Sequence, residues 1–243
     1  MEADVDMSAA RPFRLKRAVL VYEEEGYDGR TYASVHPVLT ASRDARPRLG
    51  PGTPATNAFV RTLIRGLGAE LKAEFLPDTV LYRADGMLVW WSRPGIRTLF
   101  FQKGSEVAKL SGEDFPIPPL LWKVSANGLS LRALEDDKRP APDTALFVAP
   151  FWNTSPWDGN VCEGSMQKPG TAHVADIEPW MSGYFKALFT HAYGAGDLTR
   201  HKGGHKGLWS ELAGKKKFPR SYLTPAAERG SRAQTVESFV KGL

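Results

Sequence analysis

A lone cysteine, Cys162, is all the thiol chemistry that the 243 residues hold. That excludes an internal disulfide framework and any zinc site built from several thiolates, and it fits a reducing compartment, so a cytoplasmic location is expected. No apolar run approaches the roughly 20 residues needed to cross a bilayer. Met1 to Arg11 is acidic and rich in small residues, without the apolar centre of a signal peptide. No membrane partner is expected. The 23 glycines include no phosphate-binding loop followed by Lys-Ser or Lys-Thr. No cofactor is expected, and any ATP that the chemistry needs must come through a partner enzyme. The chain has no internal repeat and no low-complexity segment.

What is present is a globular composition, 42% hydrophobic and 11% aromatic, enough to bury one substantial core. The net charge of +5 is uneven: Leu198 to Leu243 carries ten Lys or Arg against three Glu, which leaves the first 197 residues at −2. This basic stretch reads either as a solvated tail or as an electrostatic footprint for nucleic acid. Its Lys215-Lys216-Lys217 run lacks the interleaved aromatics that single-strand binding favours.

Arg14 to Glu23 and Thr31 to Leu39 are β-forming runs that predict an N-terminal hairpin. Thr53-Pro54 looks like an N-cap followed by proline at the first helical position, and Phe59, Val60, Leu63, Ile64, Leu67 and Leu71 give the following helix one apolar face through about Ala73. The period then changes. Thr79 to Ala84 and Met87 to Ser92 flank Asp85-Gly86, Arg97 to Gln102 follows, and Leu120 to Ser125 and Leu129 to Leu134 flank Asn127-Gly128. Both dipeptides are two-residue hairpin signals, and Ala145 to Ala149 adds a last strand. A second amphipathic helix, about Asp176 to Thr190, aligns Ile177, Trp180, Met181, Tyr184 and Leu188, with Pro179 tolerated in its first turn. The fold class is α+β: an antiparallel meander with helices packed against one face. The expected division is an N-terminal segment over 1–52, a core over 53–197 and a basic extension over 198–243.

Ala149 to Met166, APFWNTSPWDGNVCEGSM, follows neither period and carries the cysteine, as a functional loop would. Asp158, Gly159 and Asn160 form a turn that would push Val161 and Cys162 onto a surface shelf, while Gly164 and Ser165 leave room for a partner. A lone cysteine is otherwise more often a small buried hydrophobe.

Three segments in order carry a resemblance: Phe115-Pro116-Ile117-Pro118-Pro119, then Pro150-Phe151-Trp152-Asn153, then Gly159-Asn160-Val161-Cys162. They resemble the aromatic-Pro-x-x-Pro-Pro, His-Pro-Asn and Gly-x-Ile-Cys segments of ubiquitin-conjugating enzymes. With Pro-Phe-Trp-Asn and Val-Cys-x-Gly-Ser, the chain looks most like the prokaryotic family D of conjugating-enzyme-like proteins, which includes protein B of the PRTRC plasmid cassette. The hairpin Leu120 to Leu134 and the N-terminal hairpin are additions to the wider pattern, and Ala149 and Phe151-Trp152 replace the usual neighbours of the asparagine.

The resemblance implies a bacterial conjugating enzyme that takes a ubiquitin-like protein as a thioester on Cys162 from an adenylating enzyme and passes it to an amine of a protein substrate. An ordinary cysteine, a few per cent thiolate at neutral pH, suffices for that exchange. Asn153 is the candidate for oxyanion stabilisation or for bracing the loop. Trp157 is a candidate contact for the modifier's extended tail, Trp152 reads as packing, and Asp158 and Asp197 are candidates for the acid that prepares the amine. Two alternatives stay open. One is a conjugating-fold adaptor without transfer activity. The other is a hydrolase, with Cys162 and His191 as a thiol pair or with Cys162, His191, His201 and His205 around zinc.

Overall fold

The N-terminal runs pair as their alternation predicts. Strands β1 (Arg17–Glu23) and β2 (Thr31–Leu39) form an antiparallel hairpin with Val19 opposite Val35. The structure is a computed structural model that describes residues 15–24, 31–39, 46–66, 74–84, 86–190, 198–228 and 232–242. The chain divides into two compact units, Met1–Lys72 and Ala73–Leu243. In the first, β3 (Arg48–Leu49) and β4 (Thr53–Pro54) both pair with β2, and α1 (Asn57–Gly66) follows. The helix start expected at Thr53-Pro54 is therefore displaced. Thr53 pairs opposite Val35, and proline, lacking an N–H, is tolerated in an edge strand. Thr56 accepts the Phe59 N–H through Oγ1 at 3.2 Å instead. No residue of α1 is buried, and Val60, Leu63 and Ile64 are each about 40% exposed. Leu67 and Leu71 lie outside the described residues.

The second unit is organised by a five-stranded antiparallel sheet. Strands β5 (Val80–Ala84) and β6 (Met87–Ser92) begin it; the chain leaves through β7 (Gly95–Thr98), β8 (Phe100–Phe101) and β9 (Asp114–Ile117). It returns as β10 (Leu120–Ser125), β11 (Gly128–Ala133) and β12 (Phe147–Val148). The order across the sheet is β12-β11-β10-β6-β5. Gly128, at φ +91°, supplies the left-handed position that the Asn127-Gly128 turn requires. The strand expected over Arg97 to Gln102 is split and lies outside this sheet. Leu99 is fully buried at the break, β7 pairs with β9, and β8 runs parallel to β13 (Leu188–Phe189).

Helices were expected on one face, but both faces are covered. On one side Leu88 and Trp90 of β6, Trp122 of β10 and Leu131 of β11 meet α2 (Ile177–Lys186) through Trp180, Met181, Tyr184 and Phe185, and α3 (Gly204–Leu212) through Leu208, Trp209 and Leu212. On the other, Val89, Trp91, Leu121 and Val148 meet Leu198, Ala226 and α4 (Val236–Lys241) through Val236 and Phe239. The reason is in β6: Leu88 to Trp91 is an unbroken apolar run, so both sides of that strand must be removed from water. Residues from Leu198 onward thus contribute to both layers. The second helix ends at Lys186 rather than near Thr190. Leu188 leaves the helical face, enters β13 and is 39% exposed.

Candidate active site

The loop without periodicity is built on β11. Its first part is packed: the Trp152 ring lies 4.8 Å from Phe101, 5.6 Å from Trp209 and 4.0 Å from His205. From Asn153 the chain doubles back. Thr154 bridges Val161, the Ser155 N–H donates to the Asn160 carbonyl at 2.8 Å, and the Cys162 N–H donates to the Asn153 carbonyl at 2.7 Å. The returning arm lies along β11: Val161 N–H donates to Leu129 O (2.9 Å), Gly159 O accepts from Leu131 N–H (2.8 Å), and Ser130 Oγ donates to Asn160 Oδ1 (2.7 Å). Gly159 is required there. Its φ is +76°, and a Cβ would stand 2.6 Å from the Leu131 carbonyl oxygen.

Arg132 of β11 holds the outer bend, and no local pattern singled it out. Its side chain is fully buried; Nη1 donates to Ser155 O (3.4 Å) and Pro156 O (3.2 Å), Nη2 to Trp157 O (2.6 Å), and Nε to Gln234 Oε1 (2.6 Å). Burial lowers its pKa to about 10, against the opposing pull of Asp158. The available signal was a charge inside the strand run Leu129 to Leu134, apolar but for Ser130, where a strand side chain facing a second layer must find partners. Asp158 sits at the tip, its oxygens accepting from the Asn160 N–H (3.1 Å) and Nδ2 (2.7 Å). Partial burial raises its pKa, but hydrogen bonds from Ser155, Asn160 and its own backbone, with the Arg132 charge, outweigh that and hold it below the ordinary value. Trp157 projects outward, 64% exposed.

The structure brings Cys162 and Asn153 together at the base of the turn and leaves the Cys162 residue exposed. Asn153 has φ +60°, a left-handed conformation that asparagine tolerates better than most residues. Its side chain, 4% exposed as a residue, points into a second anchor: Nδ2 donates to Leu188 O (3.3 Å), and Oδ1 accepts from Thr190 N–H (3.2 Å) and Oγ1 (2.8 Å). Ser165 joins the same anchor, Oγ accepting from Leu188 N–H at 3.1 Å, while Gly164 turns the chain at φ +43°. The arrangement is an exposed cysteine residue on a backbone tied to β11 on one side and to β13 on the other.

Residues 59–226, carrying the sheet, this turn, α2 and α3, match the prokaryotic E2 family D. The chain belongs to that family. No curated protein and no solved structure matches it.

His201 and His205 of this family D protein each make local hydrogen bonds. The His201 Nδ1 accepts the Gly203 N–H (3.0 Å), so Nε2 carries the proton toward Glu211 Oε2 (2.9 Å), and Glu211 Oε1 accepts from the Tyr222 hydroxyl (2.9 Å). His205 Nε2 meets the Pro150 carbonyl at 2.9 Å, and burial pushes its pKa down to about 4 despite that hydrogen bond. Among the described residues no group of three His, Cys, Asp or Glu is placed to hold a metal. His191 and Asp197 lie outside the described residues. No helix among the described residues is long and apolar enough to cross a membrane.

Proposed function

We propose that this protein is an acyl carrier of the conjugating type: Cys162 accepts a bacterial ubiquitin-like protein as a thioester from an adenylating enzyme and transfers it to an amine of a protein substrate. The observation that carries the reading is the exposure of the chain's one cysteine at the end of a turn fixed by hydrogen bonds on both sides. In the charging step the Cys162 thiolate attacks the thioester carbonyl of the donor. A new C–S bond forms, the donor's C–S bond breaks, and the donor cysteine leaves as thiolate. In the discharge step an amine attacks the same carbonyl, loses a proton to solvent or a nearby base, and displaces Cys162 as thiolate. Fixing the sulfur within reach of both partners is the contribution expected of the turn.

Of the two roles open to Asn153, its bonds to Leu188 and Thr190 support bracing. Trp157 and Asp158 at the exposed tip are the proposed contacts for the modifier or the acceptor, and the exposed Gly164 and Ser165 are the proposed contacts on the other side of Cys162. A second reading, a conjugating-fold adaptor without transfer, is favoured by the same engagement of the Asn153 amide, which turns it away from the role of a free oxyanion donor.

Discharge separates the two. Charged protein, freed of ATP and adenylating enzyme, is mixed with free lysine. The proposal expects a modifier–lysine product whose rate rises with lysine concentration and which the Cys162→Ala variant never yields. A charged protein that loses its modifier only to water, at a rate indifferent to lysine, supports the adaptor.

A further inference from the structure

We propose that Arg132 is the positioning residue of the Cys162 turn, held in place by the C-terminal segment through Gln234; this rests on the reading of Cys162 as the acyl carrier. The guanidinium is fully buried and reaches the carbonyls of Ser155, Pro156 and Trp157, three residues in succession, while its Nε is fixed by Gln234 Oε1 at 2.6 Å. Only a planar fork with five N–H groups spans such a set; a lysine ammonium is a point donor. No carboxylate is within salt-bridge distance of it among the described residues, and a residue needed only to fill that space is better served by an apolar side chain, because burying an unpaired charge is costly. What the charge gains there is a specific backbone path for the bend.

That bend is mechanically close to the thiol. Ser155 N–H is bonded to Asn160 O, and Cys162 N–H to Asn153 O, so a shift at residues 155–157 is passed across the turn to both ends. Gln234 is itself placed by backbone bonds on both sides: its N–H donates to Ala226 O and its carbonyl accepts the Leu146 N–H, each at 2.9 Å. The Phe239 ring of α4 completes the support, its centroid 5.8 Å from Arg132 Cζ. Gln234 and Phe239 lie beyond the 59–226 stretch that matches the family. The segment after residue 226 therefore has a stated task, to hold the guanidinium that sets the turn.

The test compares Arg132→Met, Arg132→Lys and Gln234→Leu in the full chain, by hydrogen exchange, by single-turnover charging at saturating donor, and by alkylation of Cys162 with iodoacetamide. Expected for Arg132→Met is exchange of the Ser155, Gly159 and Cys162 amides faster by about tenfold or more, with β10 and α3 unchanged. Charging falls by about tenfold or more, because a thiol misplaced by an ångström loses that much, while alkylation by a small reagent changes less than about twofold. Arg132→Lys recovers only part of either loss, and Gln234→Leu moves both in the same direction by less. Folded Arg132→Met with unchanged charging overturns the proposal, whether or not exchange rises. If that variant does not fold, Gln234→Leu decides, and unchanged exchange and charging there overturn it. If wild type is never charged, the carrier reading fails, and the positioning role in transfer fails with it. The exchange data then still report whether Arg132 holds the turn.

Discussion

Asn57–Gly66 and Asn153 to Cys162 are each ten residues long, and they invert what periodicity reports. The helix α1 shows a clear apolar repeat, yet none of its residues is buried. The turn has no repeat, yet Asn153, Thr154, Ser155, Pro156 and Gly159 are all buried. A repeat tells which side chains share a face and satisfies the backbone within the helix; it does not say what covers the face. Burial of an irregular segment depends on polar partners elsewhere in the chain, here Ser130 and Arg132 of β11, which satisfy the groups that would otherwise require water.

Substitutions on the two segments sharpen this contrast. The largest effect is expected from Gly159→Ala, which must force a Cβ against the Leu131 carbonyl at a positive φ; unfolding free energy from denaturant titration should fall by about 2 to 4 kcal/mol. A loss near zero would mean that the turn does not lie on β11. The effect of acid comes next. The pKa of His205 is lowered from 6.5 to about 4 by burial against the start of the same loop. Between those values the unfolded chain binds a proton that the folded chain does not. The contribution is therefore fully present above pH 6.5 and is lost as pH falls toward 4, by about 3 kcal/mol. His205→Gln should flatten that part of the stability–pH curve, and an unchanged curve would contradict the buried neutral imidazole. The smallest effect belongs to α1: Leu63→Ser should change stability by less than about 0.5 kcal/mol. A loss well above 1 kcal/mol would break the contrast, because it would mean that something covers that face.

Much of the second unit was legible because its signals are local. Asn127-Gly128 marks its hairpin, and Trp180, Met181 and Tyr184 recur at helical spacing and are buried. The three segments ending at Cys162 named the family that residues 59–226 match. What escaped depends on partners distant in sequence. Thr53-Pro54 carries a helix-start signature, but a strand was available to pair with it. Arg97 to Gln102 reads as one strand, but its halves choose different partners on either side of Leu99. No local pattern singles out Arg132, because its side-chain partner Gln234 lies 102 positions later. The helices' coverage of both faces was signalled by the unbroken run Leu88 to Trp91, which marks a strand buried on both sides rather than one facing water.

Transfer of the conjugating type requires that the exposed Cys162 carry an acyl group. The direct measurement is intact mass after incubation with the ubiquitin-like protein, its adenylating enzyme and Mg-ATP. The expected result is a wild-type species heavier by the modifier less a water and reversed by thiol, a thiol-resistant ester on Cys162→Ser, and no adduct on Cys162→Ala. Partners that charge another acceptor under the same conditions while leaving Cys162 unmodified would contradict it.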